Sequence, residues 1–325
     1  MRKTDLLNKL TKKGGNVIIT THVFPDADGI GSEIALCLAL RKKGINAICV
    51  NEDKLEDRYQ YLDQNKAVKA LTKFKREKNK KWNILVVVDT NSLKMIGPKM
   101  NFLAQKVDEI IFIDHHPIND QKIIPKNIYL RADLCATGEV VGNLIEDLGV
   151  KLTYEIAICL YTAILIDTSS FRYPKVSEKT HTLLSKLLKS GVNPPKAYNL
   201  IYGTKKLSHM KLLGKILSSI QSTKDQSIAW IIVKENDLKK FLTKAENTNS
   251  FINNLLVLDN LKVACLFREL NGKVKISLRS HESVNVGSIA EELGGGGHTH
   301  SAGAILKGDI SSVVKKVIRK IKSRL

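Results

Sequence analysis

Aspartate and histidine residues fall at or just past the carboxyl ends of successive apolar runs in this chain of 325 residues. His22 closes NVIITTH and is followed by Asp26 and Asp28 in HVFPDADGIGS. Asp89 ends VVVDT, the triplet Asp114, His115 and His116 ends IIFIDHH, and Asp167 ends the apolar run of AILIDTSS. Each piece alone has an ordinary reading. Asp26-Ala27-Asp28-Gly29 makes a turn, Asp89 caps the next element, and two adjacent histidines sit one in and one out. Their joint placement is what those readings leave unexplained. Strand ends in an open parallel sheet converge on one crevice. Carboxylates crowded there cannot all stay ionised without cations. A mixture of carboxylate and imidazole suits a divalent ion such as Mn²⁺. A water bound to such an ion loses its proton near neutral pH, supplying hydroxide without a separate general base. Neither a Ser-His-Asp nor a Cys-His arrangement is then required. The chain has no G-x-x-x-x-G-K-[ST] loop, which disfavours nucleoside-triphosphate motor chemistry.

The elements that must position these residues can be read from the same runs. NVIITTH (16–22), INAICVNED (45–53), NILVVVDT (83–90) and EIIFIDHH (109–116) are β-branched and of strand length. A helix is predicted between the first two, capped by Ser32 and stopped at Gly44. Another is predicted after Thr137 in GEVVGNLIEDLG. The fold class is therefore α/β, with an N-terminal, mostly parallel sheet flanked by helices over residues 1–190. SGVNPPKAYNL and the amphipathic LSHMKLLGKILSSIQST predict a helical linker over 191–224. SIAWIIV, LKVACLF and KVKISLRS then predict a smaller α/β domain over 225–325, with a substrate cleft between the two. Its closing helix places Val313, Val314, Val317, Ile318 and Ile321 on one face.

Lys and Arg number 52 against 32 Asp and Glu, a net charge of +20, and lysine supplies 42 of the 52. The spread of lysines is first a solvated surface, and second an attraction for anionic substrates. Aromatics at 6% are too few for a long base-stacking groove, which favours a small anion over a long polymer. The longest apolar stretch, 156–166, is too short to span a bilayer, and the opening MRKTDLLNKLTKKGG has no signal-peptide pattern. Cys37, Cys49, Cys135, Cys159 and Cys265 are widely spaced and form no C-x-x-C pair. A cytoplasmic protein without disulfides, structural zinc or membrane contact is the expectation.

The cluster Gly294–Gly297 before His298 reads either as a flexible turn or as a loop whose bare backbone approaches a phosphate or base. Arg279, at the end of KVKISLRS, offers a guanidinium for a phosphate. Arg268 is open to the same role or to a surface ion pair with Glu269 or another acid.

These residues resemble the DHH phosphoesterases, named for the triplet present here as Asp114-His115-His116. HVFPDADGIGS, VVVDT, IDHH and LIDTSS are similar to that family's metal-site motifs in order. SLRS and LGGGGHTHSAGA are similar to its DHHA1 domain, with Ser301-Ala302 where many members have two alanines. More narrowly, the length and two-domain plan resemble the nanoRNase group, bifunctional oligoribonucleases and 3′-phosphoadenosine-5′-phosphate phosphatases. The resemblance implies two Mn²⁺ ions, one held by His22, Asp26 and Asp89, the other by Asp28, Asp89, His115 and Asp167. It implies that Asp114 supports His115 and that His116 faces the scissile phosphate. It places Arg279, Ser280, Gly295, Gly296, Gly297 and His298 against the substrate, a short RNA or small nucleotide, and allows a homodimer. A stand-alone cyclic di-AMP or pApA phosphodiesterase needs the same metal residues. A RecJ-like single-strand exonuclease would want further domains, and a non-catalytic nucleotide binder would be expected to have lost some of the acids.

Overall fold

The computed structural model describes residues 1–74, 81–118, 125–203, 206–281 and 284–325, without the side chains of Glu246 and His298. It divides into two compact units, Met1–Thr204 and Lys205–Leu325.

The first unit runs α1 (Lys3–Leu10), β1 (Asn16–Thr20), α2 (Ala27–Lys42), β2 (Asn46–Asn51), β3 (Val68–Ala70), β4 (Ile84–Val88), α3 (Pro98–Ala104), β5 (Glu109–Asp114), β6 (Ile128–Leu130), α4 (Thr137–Asp147), α5 (Tyr154–Asp167), α6 (Glu178–Lys189) and α7 (Pro194–Tyr198). Its six strands lie in the order β3-β2-β1-β4-β5-β6, all parallel. The middles of the inner strands are apolar because both faces are covered; every residue of β4 is buried. The chain leaves β1 toward β2 and later returns to β4 on β1's other side. Such a reversal of strand order opens a crevice at the carboxyl ends, here between β1 and β4. The loops carrying His22, Asp26 and Asp89 leave the sheet at that point.

One local expectation is corrected. The first long helix starts at Ala27, not after Ser32. The Asp26 carboxylate accepts the backbone N–H groups of Asp28 (2.8 Å) and Gly29 (3.3 Å) and so is the cap. Ser32 lies one turn inside, donating to Asp28 Oδ1 at 3.3 Å. The apolar run that Asp167 ends is a helix, α5. Ile156 through Leu165 are buried on every side, so α5 has no polar face to give it a helical period, and its length decides the matter. It packs on α2 so closely that a Cβ on Gly31 would stand 2.5 Å from the Cys159 carbonyl oxygen.

The second unit runs α8 (Leu207–Leu217), β7 (Gln221–Ser222), β8 (Ile228–Val233), α9 (Glu235–Lys240), a 3₁₀ stretch (Ala245–Val257), β9 (Val263–Leu270), β10 (Lys273–Ser280), α10 (Val286–Glu292), β11 (Gly296–His298), β12 (Ser301–Lys307) and α11 (Ile310–Lys322). Its sheet, β11-β12-β10-β9-β8-β7, is antiparallel except between β8 and β9. Alternate strand residues face two cores. One joins Val263, Phe267 and Ile276 to α10 and to Val313, Val317 and Ile321 of α11. The other joins Ile231 and Leu266 to α8 and to Phe251 and Leu255 of the 3₁₀ stretch. Arg268 is buried facing that stretch. It donates to Thr248 Oγ1 (3.1 Å), Asn249 Oδ1 (2.9 Å) and the Ala245 carbonyl. Glu269 instead accepts the Glu235 N–H at 2.9 Å. Arg268 is thus neither a surface ion pair with Glu269 nor open to a phosphate. Among the described residues no helix is long and apolar enough to cross a membrane.

Candidate metal centre

The acids and histidines singled out by the sequence meet at the carboxyl edge of the first sheet. Donor atoms of His22, Asp26 and Asp89 lie within 4.8 Å of one another, and so do those of Asp28, His115 and Asp167. Asp89 also groups with His115 and His116, which puts it between the two sets. Its φ of +62° turns the chain sharply as it leaves β4. Aspartate is one of the few non-glycine residues that tolerate this region.

Burial and like charge dominate the electrostatics. Burial first, then Asp26 and Asp89, push the Asp167 carboxyl up to about 8. Burial and the Asp89 charge raise Asp28 as well, and burial raises Asp89 against the opposing hydrogen bond from His22. Burial would discharge His22, but Asp89 lies 3.5 Å from its Nε2 and holds the ring up at about 9. Burial and the neighbouring His116 drive His115 down to about 3, so it is a neutral imidazole at physiological pH. Its Nδ1 is 3.4 Å from the Leu134 carbonyl oxygen. Its buried Nε2 has no hydrogen-bond partner, although Asp167 Oδ2 is 3.2 Å away. An orphaned imidazole lone pair among carboxylates that repel one another is the donor set a divalent cation satisfies. The residues fit the metal.

Asp114 behaves differently from the expectation that it supports His115. Its Oδ1 accepts the backbone N–H groups of His115 (2.8 Å) and His116 (3.1 Å). It lies 2.7 Å from Nδ1 of His116, not the His115 ring. Against burial, this contact lifts His116 to about 9, so its imidazolium can donate from Nε2.

The sequence did not point to the residues that aim the acids. Thr137 N–H and Gly138 N–H, at the start of α4, donate to Asp28 Oδ2 (2.8 Å) and Oδ1 (2.7 Å). The Thr137 hydroxyl donates to Asp89 Oδ1 at 2.9 Å. Gly138 is required there, since a Cβ would stand 2.5 Å from that of Ala163. Behind the β1 loop, Asn51 donates to Glu33 Oε1 (2.6 Å) and accepts from the Thr20 hydroxyl (3.1 Å) and the Thr21 N–H (3.3 Å). Burial raises Glu33 well above the usual carboxylate range, against the hydrogen bond from Asn51. One charged residue inside SEIALCLAL was the only sequence signal for it.

The remaining candidates lie in the second unit. Arg279 donates to the Leu278 carbonyl at 2.9 Å. Ser280 is buried, its hydroxyl donating to the Val284 carbonyl at 2.6 Å, so it closes a loop. The His298 side chain lies outside the described residues. Gly295 and Gly297 are explained by packing. A Cβ on Gly295 would stand 2.0 Å from the Gly303 carbonyl oxygen, and one on Gly297, at φ +143°, 2.5 Å from Ala302 Cα. A Cβ on Gly296 would meet nothing within 4 Å. We expect Gly295→Ala to lower the melting temperature by several degrees. Gly296→Ala should leave it unchanged or slightly raised, while raising KM if bare backbone meets substrate there. Thermal denaturation beside steady-state kinetics on both variants separates the two cases.

Comparison with known proteins agrees with this geometry. Residues 16–164 match the DHH family, N-terminal domain, and residues 240–325 match the DHHA1 domain. The chain belongs to the DHH/DHHA1 phosphoesterase family. It is a metal-dependent hydrolase of phosphoesters. It is 29% identical over 322 residues to the bifunctional oligoribonuclease and PAP phosphatase NrnA of Thermus thermophilus, covering 96% of this chain and 90% of that protein. It is 27% identical to the cyclic-di-AMP phosphodiesterase GdpP of Bacillus subtilis, over 93% of this chain but 46% of that one. An exopolyphosphatase-related protein from Bacteroides fragilis superposes with a TM-score of 0.90 at 25% identity, over 99% of this chain and 96% of that chain.

Proposed function

We propose that this DHH/DHHA1 protein hydrolyses very short oligoribonucleotides and 3′-phosphoadenosine 5′-phosphate with two Mn²⁺ ions. The observation that carries the reading is the pair of donor groups, His22-Asp26-Asp89 and Asp28-His115-Asp167, linked by a third group in which Asp89 meets His115 and His116. Those residues would hold the cations. When bound, the cations supply Lewis-acid polarisation of the phosphoryl group and lower the pKa of water. The chain's own residues do the rest. Thr137 and Gly138 fix the Asp28 and Asp89 carboxylates before substrate arrives, so no reorganisation is needed during the reaction. His116, kept protonated by Asp114, offers a donor to a phosphoryl oxygen or to the leaving oxygen. The +20 chain draws anionic substrate in. Near full-length similarity to NrnA supports the substrate choice. Five buried, free cysteines suit the reducing cytoplasm.

The similarity to GdpP favours one second reading, turnover of cyclic di-AMP or its linear product pApA. Manganese-loaded protein given 3′-phosphoadenosine 5′-phosphate, pApA, a five-nucleotide RNA and cyclic di-AMP together decides between them. Loss of the first three with cyclic di-AMP intact supports our reading. Preferential opening of cyclic di-AMP, or cleavage of pApA alone, replaces it with the second.

A further inference from the structure

Phe24 is 85% exposed, the most exposed aromatic side chain among the described residues. Its φ is +53°, a left-handed conformation that is strained for a bulky residue. Burial therefore gives no reason for a phenylalanine here, and the backbone gives a reason against one. The loop is nevertheless fixed. Val23 N–H donates to the Met95 carbonyl in the loop after β4 at 2.6 Å, and Pro25 restricts the next step. Phe24 stands two residues after His22 and two before Asp26, both members of the group that includes Asp89. Two residues of chain span at most about 7 Å. A strained, solvent-facing ring is thus held at the edge of the metal centre.

We propose that Phe24 is a stacking platform for one nucleobase of the substrate, the base nearest the phosphate held at the metal centre. The proposal rests on the phosphoesterase reading given above and adds the feature that would tell a nucleotide from a bare sugar phosphate. Every base has a π-face, so stacking binds without selecting among bases. One ring serves one base, which suits a chain whose aromatic content is 6% and whose expected substrate is a few nucleotides long. Backbone strain retained beside a reactive site is typical of residues held for function.

The test uses the full chain loaded with Mn²⁺. In Phe24→Trp, adenosine 5′-monophosphate should quench indole emission beyond the parent's response, and ribose 5-phosphate should not. In Phe24→Ala, KM for pApA should rise about tenfold, the scale of alanine substitution at a base-stacking aromatic. The advantage of pApA over a base-free ribose-phosphate dimer should shrink accordingly, and Phe24→Tyr should restore it. Equal quenching by both probes, or an unchanged KM ratio in Phe24→Ala, overturns the platform. A parent protein that hydrolyses no nucleotide overturns the functional reading and the platform with it. A parent that hydrolyses pApA while Phe24→Ala matches it discards the platform alone.

Discussion

Replacing Asp89 with asparagine is expected to lower kcat on the order of 10³-fold and to reduce the metal bound per chain. Asp89 is the residue shared between the donor groups on either side of it. One oxygen accepts from Thr137 at 2.9 Å and the other lies 3.5 Å from His22 Nε2. Asparagine keeps the size, tolerates φ +62° and can still accept from Thr137, so the backbone should be undisturbed. What it loses is the negative charge and an oxygen ligand. Metal-assisted stabilisation is worth several kcal/mol of transition-state energy, which sets the expected scale. Activity, circular dichroism and metal content measured on one preparation check the result. A folded variant keeping more than a tenth of parental activity with Mn²⁺ present would remove Asp89 from the bridging position.

Removing metal should destabilise the protein more as pH rises from about 6.5 to 8. In the metal-free chain, Asp167 is held up at about 8 from an ordinary 3.8, and His22 and His116 at about 9 from 6.5. Across this window the folded chain keeps protons that the unfolded chain has lost. Stability therefore falls as pH rises. His115, held down near 3, works in the opposite sense, but only as pH falls below 6.5. Cations bind the deprotonated donors, so loading becomes more favourable over the same window. The gap between metal-loaded and chelated protein should widen by on the order of 2 kcal/mol, roughly 5 °C in melting temperature. Thermal denaturation at pH 6.5 and 8, with and without chelator, measures it. A gap that narrows with rising pH would mean that these donors do not hold the metal.

The legibility of this site in the sequence has a simple basis. His22, Asp89 and the Asp114 triplet come after strands whose β-branched, doubly buried runs are conspicuous, so strand ends could be counted without a structure. Asp167 was found from the same rule although it closes a helix. In α5 all-round burial erases the helical period, and a short apolar run looks alike in either state. The cap of α2 was displaced because Asp26 and Ser32 are both good caps, and only the course of the loop selects between them. Arg268 was open to two roles in sequence, since nothing local shows that a strand side chain will reach a 3₁₀ stretch some twenty residues earlier.

By itself, then, the sequence determined which residues are chemical, that they gather at one sheet edge, and that a divalent metal suits them. Residue type and strand periodicity are local properties, and they carry that much. The tertiary structure alone decided how the acids are aimed. Thr137 and Gly138 lie 109 and 110 positions from Asp28, and the Thr137 hydroxyl 48 from Asp89. It likewise decided that Asp114 grips His116 rather than the His115 ring. It separated Gly295 and Gly297, required by the neighbouring strand, from Gly296, which is not. Those distinctions depend on which backbone groups a fold brings within hydrogen-bonding or van der Waals range, and pattern along one chain does not encode the distance.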